Sequence, residues 1–153
     1  MDILLVEDNP SDAELTLLAL KKAVPDLTVI HAQDGAEAQI ILEQQEREFA
    51  TGNASALPKL ILLDLKLPKI DGFEVLRAVK RRATYQCVPV VMFTSSREER
   101  DVIQAYALGA NSYTVKPVNF NELKDALALI AAYWLQRNIR PLWADGYQGS
   151  RAS

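Results

Sequence analysis

Four short, mostly apolar runs, each followed at once by a charged or hydroxyl residue, constrain the fold of this chain more than any other feature. The runs cover residues 3–6, 60–63, 88–93 and 113–115. Apolar runs of this length are typical of strands buried on both faces of a parallel sheet. The residues that follow them are Glu7 and Asp8, Asp64, Thr94, and Lys116 with Pro117. We expect these side chains to converge at the edge where the strands end, because open α/β sheets bind ligands there.

The chemistry of these residue types indicates one kind of site. Three carboxylates offer the oxygen ligands that magnesium prefers, and an ammonium and a hydroxyl can bind the oxygens of a phosphoryl group. Phosphoryl transfer needs little from a protein beyond such positioning and charge stabilisation. The sequence therefore predicts a crevice for a divalent cation and a phosphoryl group.

Helical patterns alternate with the strand-like runs. The first three predicted helices cover about residues 10–23, 34–49 and 73–80, the second opening at Asp34-Gly35. The fourth covers residues 97–108 and ends at a left-handed cap at Gly109. The fifth carries an apolar stripe of Leu123, Leu127, Ile130 and Trp134. Residues 27–31 are predicted as the second strand, and residues 50–58 as an exposed loop. Five strands alternating with five helices predict a parallel sheet covered on both faces. We expect one domain over residues 1–136 and a tail over residues 137–153.

Composition limits the classes of partner and the cell compartment. The net charge of −3 argues against a broad nucleic-acid surface, and we interpret the one basic run, residues 80–82, as a solvated helix end. No apolar run approaches the ~18 residues that span a bilayer. A single cysteine, Cys87, excludes an internal disulfide. No basic segment leads into an apolar one at the N-terminus, so we expect a cytoplasmic protein. From the net charge and the short apolar runs we expect neither nucleic-acid nor membrane partners.

The order of these motifs resembles the receiver domain of two-component response regulators. The matching elements are Glu7-Asp8, Asp64 followed by Pro68 and Asp71-Gly72, Thr94-Ser95, and Lys116-Pro117, within residues 1–136. The resemblance implies a flavodoxin-like fold of five strand–helix units with strand order 2-1-3-4-5. It also implies a signalling domain rather than an enzyme, which accepts a phosphoryl group from a histidine kinase and thereby switches its protein–protein interactions.

The resemblance further implies a role for each site residue. Asp64 would be the phosphoacceptor, and Mg²⁺ would be held by Asp8, Asp64 and the backbone carbonyl of Lys66, with Glu7 acting through a water molecule. Thr94 and Lys116 would contact the phosphoryl group, and Tyr113 would be the aromatic residue of the switch. The Lys116–Pro117 peptide bond would be cis, so that the lysine points at the acceptor carboxylate.

Three alternatives compete with this interpretation. One is an aspartate-nucleophile phosphatase of the haloacid-dehalogenase type, which carries its nucleophile on the first strand and a second aspartate two residues later. In this chain the candidate nucleophile, Asp64, follows the third predicted strand, and the residue two positions later is Lys66. A nucleotide-binding module of the same topology would need a glycine-rich loop after the first strand, where Glu7 and Asp8 stand instead. A receiver that serves only as a phosphorylation-independent binding module is the third, although all the chemical residues are present.

Finer expectations concern the partners. Only a short tail follows the last helix, so we expect output through protein contacts rather than a DNA-binding domain. The long loop before the third strand and the tail with Trp143 and Tyr147 are similar to small response regulators paired with phytochromes, which makes a phytochrome a candidate kinase. Excess apolar residues predict a homodimer through the fourth helix, the fifth strand, the fifth helix and the tail. They are Val102, Ile103, Tyr106, Leu129, Tyr133, Leu142, Trp143 and Tyr147.

Overall fold

Strands and helices alternate through the computed structural model, which describes residues 1–141. The strands within this range are β1 (Ile3–Val6), β2 (Val29–Ala32), β3 (Leu60–Leu63), β4 (Val90–Thr94) and β5 (Ser112–Val115). The α-helices are α1 (Pro10–Ala23), α2 (Gly35–Ala50), α3 (Gly72–Arg81), α4 (Glu99–Ala107) and α5 (Phe120–Ala131). Short 3-10 turns cover Ala54–Ala56 and Ala83–Tyr85, and a π-helical segment, Ala132–Arg137, continues α5.

The strands form one parallel sheet in the order β2-β1-β3-β4-β5, which confirms the predicted fold. The register aligns the ends of the central strands, because Val6 lies opposite both Ala32 on β2 and Leu63 on β3. The residues that follow Val6 and Leu63 are Glu7 and Asp64, so the sheet itself places these two acids side by side. The Asp64 amide accordingly donates to the Val6 carbonyl at 3.1 Å.

The central strands β1, β3 and β4 bury side chains on both faces of the sheet, which explains their uninterrupted apolar runs. Leu4, Val6, Ile61 and Leu63 pack in the cluster beneath α2, α3 and α4, whereas the alternate residues Ile3, Leu5, Leu60 and Leu62 pack in the cluster beneath α1 and α5. Every one of these side chains is at most 2% exposed. Close packing of this kind holds the strand ends, and hence the residues that follow them, in fixed positions.

Four of the helices begin at side-chain caps. The caps are Asn9 for α1, Asp34 for α2, Asp71 for α3 and Asn119 for α5, and each accepts a backbone N–H from the first turn of its helix. Such caps supply partners for N–H groups that have none within the helix. Just after the C-terminal end of α4, Gly109 has a φ of 100°, which confirms the predicted left-handed cap.

The structure differs from the sequence-based expectations in the loops. Strand β2 begins at Val29 rather than at residue 27, and α4 is shorter at both ends than residues 97–108. The predicted exposed loop is only partly exposed, because Ala56 and Leu57 are each 5% exposed and Leu57 packs in the core cluster beneath α2. In residues 1–141, no helix combines the length and the apolar character that crossing a membrane requires.

Candidate functional site

Three carboxylates gather where β1 and β3 end. Glu7, Asp8 and Asp64 can each present an oxygen so that all three oxygens lie within 4.8 Å of one another. Glu7 is 2% exposed and Asp64 is 8% exposed, whereas Asp8 is the most accessible of the three. Magnesium and manganese are bound by carboxylate and carbonyl oxygens at short distances. This donor set therefore fits a small divalent cation with one side open to solvent.

Lys116, which follows β5, brings a positive charge to the buried carboxylates. Its backbone N–H donates to the Thr94 carbonyl at 2.8 Å, so the residue is fixed beside the end of β4. From there its Nζ donates to Asp64 Oδ2 at 2.9 Å and to Glu7 Oε2. The sequence correctly predicts that this lysine, distant along the chain, meets the two acids.

The charges of the buried groups influence one another strongly. Burial, together with the nearby Asp64 carboxylate, raises the pKa of Glu7 to about 7, although the hydrogen bond from Lys116 opposes this change. Burial alone would lower the pKa of Lys116, but the hydrogen bond to Glu7 and the attraction of Asp64 outweigh it, and that pKa is raised. The cluster thus holds three carboxyl groups for one ammonium, and a further cation bound there would favour the ionised form of Glu7.

The prediction of a cis bond between Lys116 and Pro117 is wrong. Every peptide bond within residues 1–141 is trans. X-Pro bonds are trans in all but about 5–6% of cases in folded proteins. The long lysine side chain still reaches Asp64 Oδ2 at 2.9 Å across a trans bond.

Thr94 and Tyr113 are joined through the loop between β4 and α4. Thr94 is wholly buried, and its Oγ1 accepts the Ser96 N–H at 3.3 Å. The Tyr113 hydroxyl donates to the Ser96 carbonyl at 3.0 Å. The Ser96 hydroxyl donates to Asp101 Oδ2 at 2.6 Å, which connects the loop to the first turn of α4. Thr94, which the resemblance expects to contact the phosphoryl group, and Tyr113, the expected switch aromatic, therefore both bond to Ser96.

The loop after Asp64 is held close to the acidic cluster by Gly72. A Cβ atom at this position would lie 2.1 Å from the Asp64 carbonyl oxygen, so only glycine fits. The Gly72 N–H donates to the Leu65 carbonyl at 2.9 Å and closes the loop. Lys69 adopts a φ of 67° and pairs with Asp34 at 3.0 Å. Lys66 lies in this closed loop, two residues after Asp64, and its side chain is exposed.

Two residues at the site were not predicted from the sequence. Asp12 lies in the first turn of α1, with Oδ2 3.5 Å from Lys116 Nζ. Its position three residues after the Asn9 cap is a signal that could have placed it at this edge. His31 is on β2, and its Nε2 lies 2.7 Å from the backbone oxygen of Glu7. Nothing in the local sequence indicates that contact.

Comparison with known proteins places this geometry in a family. Residues 3–128 match the response regulator receiver domain. The chain is similar to the response regulator Rcp1 of Synechocystis sp., with 41% identity over 134 residues that cover 88% of each protein. It is also similar to the probable methanogenesis regulatory protein FilR2 of Methanothrix harundinacea, with 39% identity over 139 residues, which cover 91% of this chain and 86% of FilR2.

Solved structures agree with these relatives. The phosphorylated cyanobacterial phytochrome response regulator RcpA superposes with a TM-score of 0.80 at 41% identity, over 92% of this chain and 97% of RcpA. The Mn²⁺-bound form of Rcp1 superposes with a TM-score of 0.78 at 40% identity, over 91% of this chain and 97% of Rcp1. The sheet order, the acidic cluster and the match over residues 3–128 together show that this chain belongs to the response regulator receiver domain family.

Proposed function

We propose that this chain accepts a phosphoryl group on Asp64 from a histidine kinase and transmits the signal through altered protein–protein contacts. The observation that carries the proposal is the position of Asp64, which is buried among carboxylates and bonded to the Lys116 ammonium. A carboxylate in such a place can act as a nucleophile only if its charge and that of the incoming phosphoryl group are both balanced. The family match leaves the phosphatase-like alternative without support.

The acidic cluster is the proposed magnesium site. Asp8, Asp64 and the Lys66 carbonyl would hold the ion directly. Glu7 would act through a water molecule, because its Oε1 already accepts the Asn9 N–H at 3.0 Å and its Oε2 is bound to Lys116. When bound, magnesium supplies the positive charge that offsets the carboxylate nucleophile and the phosphoryl oxygens.

The chain's own residues then carry out the transfer. An oxygen of Asp64 forms a bond to phosphorus, the bond from phosphorus to the donor nitrogen breaks, and its electron pair stays with the imidazole of the donor. Lys116 exchanges its bond to Asp64 for one to a phosphoryl oxygen, and the Thr94 hydroxyl donates to another. Since the reacting groups are held by strand ends, the protein contributes mainly position and charge.

The connection through Ser96 suggests how the signal leaves the site. When Thr94 turns toward a phosphoryl oxygen, its hydroxyl gives up the Ser96 N–H, which it now accepts at 3.3 Å. Ser96 also carries the contacts to Tyr113 and to Asp101 of α4. A change at Thr94 therefore alters the loop, the tyrosine and the start of α4 together, as expected for a two-state switch biased by one new charge.

The first test uses the wild-type protein with acetyl phosphate as the phosphodonor. With magnesium we expect the intact mass to increase by one phosphoryl group, because the acidic cluster needs a cation before it can receive an anion. With a chelator in place of magnesium we expect no increase. An adduct that forms equally well with the chelator, or none in magnesium, would contradict the proposal.

The finer proposal for the kinase is a phytochrome. RcpA is described as a phytochrome response regulator, and its structure superposes on this chain over nearly its whole length. We further propose that the protein is cytoplasmic. We also propose that residues 1–136 form the receiver domain, and that this domain does not turn over a separate substrate.

A symmetric homodimer is the second partner that we propose. Strand β5 is an edge strand, with β4 as its neighbour in the sheet. Large apolar side chains near this edge are exposed, namely Ile103 and Tyr106 on α4, Leu129 on α5, and Tyr133 on the π-helical segment that continues α5. A contiguous exposed apolar patch commonly marks an interaction site. Leu142, Trp143 and Tyr147, which the sequence adds to this surface, lie outside the described residues.

Sedimentation tests the dimer with a matched pair of variants. Leu129 on α5 is 73% exposed, and Ile40 on α2, away from β5, is 63% exposed. We expect Leu129→Asp to shift the protein toward monomer and Ile40→Asp to leave the dimer intact, because only the first would bury a charge in the interface. A chain ending at Arg137 should also dimerise less. A wild-type protein that stays monomeric at high micromolar concentration, with and without phosphodonor, would contradict the dimer.

A further inference from the structure

The backbone carbonyl of Glu7 lies just beyond the end of the regular sheet. The last ladder bond between β1 and β2 at this end is from the Glu7 N–H to the Ala32 carbonyl, at 3.1 Å. Strand β2 ends at Ala32, and two residues later Asp34 caps α2. The chain therefore turns away before another backbone N–H of β2 can reach the Glu7 carbonyl.

The side chain of His31 occupies this place. Its Nε2 lies 2.7 Å from the Glu7 carbonyl oxygen, a short hydrogen bond. A carbonyl oxygen can only accept, so Nε2 carries the hydrogen in this contact. The imidazole thus extends the ladder by one bond that the backbone does not supply.

The peptide unit that accepts this bond joins Glu7 to Asp8, two of the three acids of the cluster. The orientation of its plane sets the direction in which the Asp8 side chain leaves the backbone. The Glu7 side chain is itself fixed by the Asn9 N–H and by Lys116. Asp8 is more accessible than the other two acids, so its direction depends more on the backbone that carries it.

His31 and Asp8 are accessible from the same groove on the surface of the molecule. A groove of about 330 Å³ between α1 and the end of β2 is lined by both Asp8 and His31. His31 is only half-buried, and it lies on an edge strand of the sheet. Its ring is therefore not part of the close-packed core, and replacing it should leave the core packing unchanged.

We propose that His31 is a positioning residue of the cation site, which holds the Glu7–Asp8 peptide in the orientation that lets Asp8 face Asp64. The inference rests on the proposed function, because it assumes that the acidic cluster binds a divalent cation. Groups that orient metal ligands commonly change affinity by 10–100-fold when they are removed. The contribution of His31 is expected at the lower end of this range, because it acts on the ligand's backbone.

The test measures binding of Mn²⁺ alone, with no phosphodonor. The concentration of free Mn²⁺ is read from its electron paramagnetic resonance signal. His31→Gln places an amide N–H at about the reach of Nε2, whereas His31→Asn reaches only as far as Nδ1. We expect His31→Gln to bind within about two-fold of the wild type and His31→Asn to bind roughly ten-fold more weakly. Thermal unfolding without metal should be similar for the two variants, which separates positioning from a general loss of stability.

The outcomes separate this inference from the proposed function. Wild-type affinity in His31→Asn, or an equal loss in both variants, would overturn the role of the Nε2 hydrogen bond while leaving the cation site in place. A wild-type protein that fails to bind Mn²⁺ would overturn both the cation site and the positioning role. Recovery in His31→Gln alone would support the inference, because the two variants differ only in the reach of the same amide group.

Discussion

Asp64→Asn is expected to abolish the phosphoryl adduct that forms with acetyl phosphate and magnesium. The substitution keeps the shape of the side chain, but an amide has no anionic oxygen with which to attack phosphorus. In the structure Asp64 Oδ1 accepts the Leu65 N–H at 2.7 Å and Oδ2 accepts Lys116. The asparagine oxygen can replace only one of these acceptors. Intact-mass measurement on the folded variant gives the result directly.

Asp71→Asn is the matched control. Asp71 is in the loop that follows Asp64, is exposed, and caps α3 by accepting the Glu74 N–H at 3.0 Å. Asparagine caps helices about as well as aspartate, so this variant should fold normally and take up one phosphoryl group. An adduct of wild-type yield in Asp64→Asn, or loss of the adduct in both variants, would show that the acceptor has been assigned wrongly.

The sheet and the meeting of Glu7 with Asp64 at its edge could be predicted from the sequence because both depend on strong local patterns. A strand buried on two faces must be apolar at every position, and the residues 3–6 and 60–63 satisfy this rule without exception. Once these runs are parallel and in register, Glu7 and Asp64 must be neighbours, as the pairing of Val6 with Leu63 shows. The convergence of the acids is therefore a consequence of the sheet.

The remaining features depend on contacts that no local pattern records. The hydrogen bond from His31 to Glu7 depends on where β2 ends, and the predicted strand ended one residue too early. The burial of Leu57 depends on the shape of the core beneath α2 rather than on the polar residues before it. The cis prediction at Pro117 came from resemblance alone, and the structure has a trans bond there. Such features require the tertiary structure.

Lys116→Met is expected to make the stability of the protein depend strongly on magnesium. The Lys116 side chain is 10% exposed, and it pairs with Glu7 and Asp64, whose side chains are 2% and 10% exposed. Methionine has a similar length but no charge, so both carboxylates would remain buried without their ammonium. Removing one partner of a buried ion pair typically costs about 3–5 kcal/mol. Chemical denaturation in the presence of a chelator should show a loss of this size.

Addition of magnesium should then stabilise Lys116→Met more than the wild type, because the cation replaces the missing charge beside the same carboxylates. Lys59→Met is the control, since Lys59 forms a surface pair with Asp2 at 3.2 Å and its side chain is 42% exposed. A surface pair of this kind contributes at most about 1 kcal/mol, and its loss should not change the response to magnesium. If Lys116→Met in chelator were as stable as the wild type, the buried charges would not be coupled as the geometry implies. An equal gain from magnesium in all three proteins would place the cation away from these carboxylates.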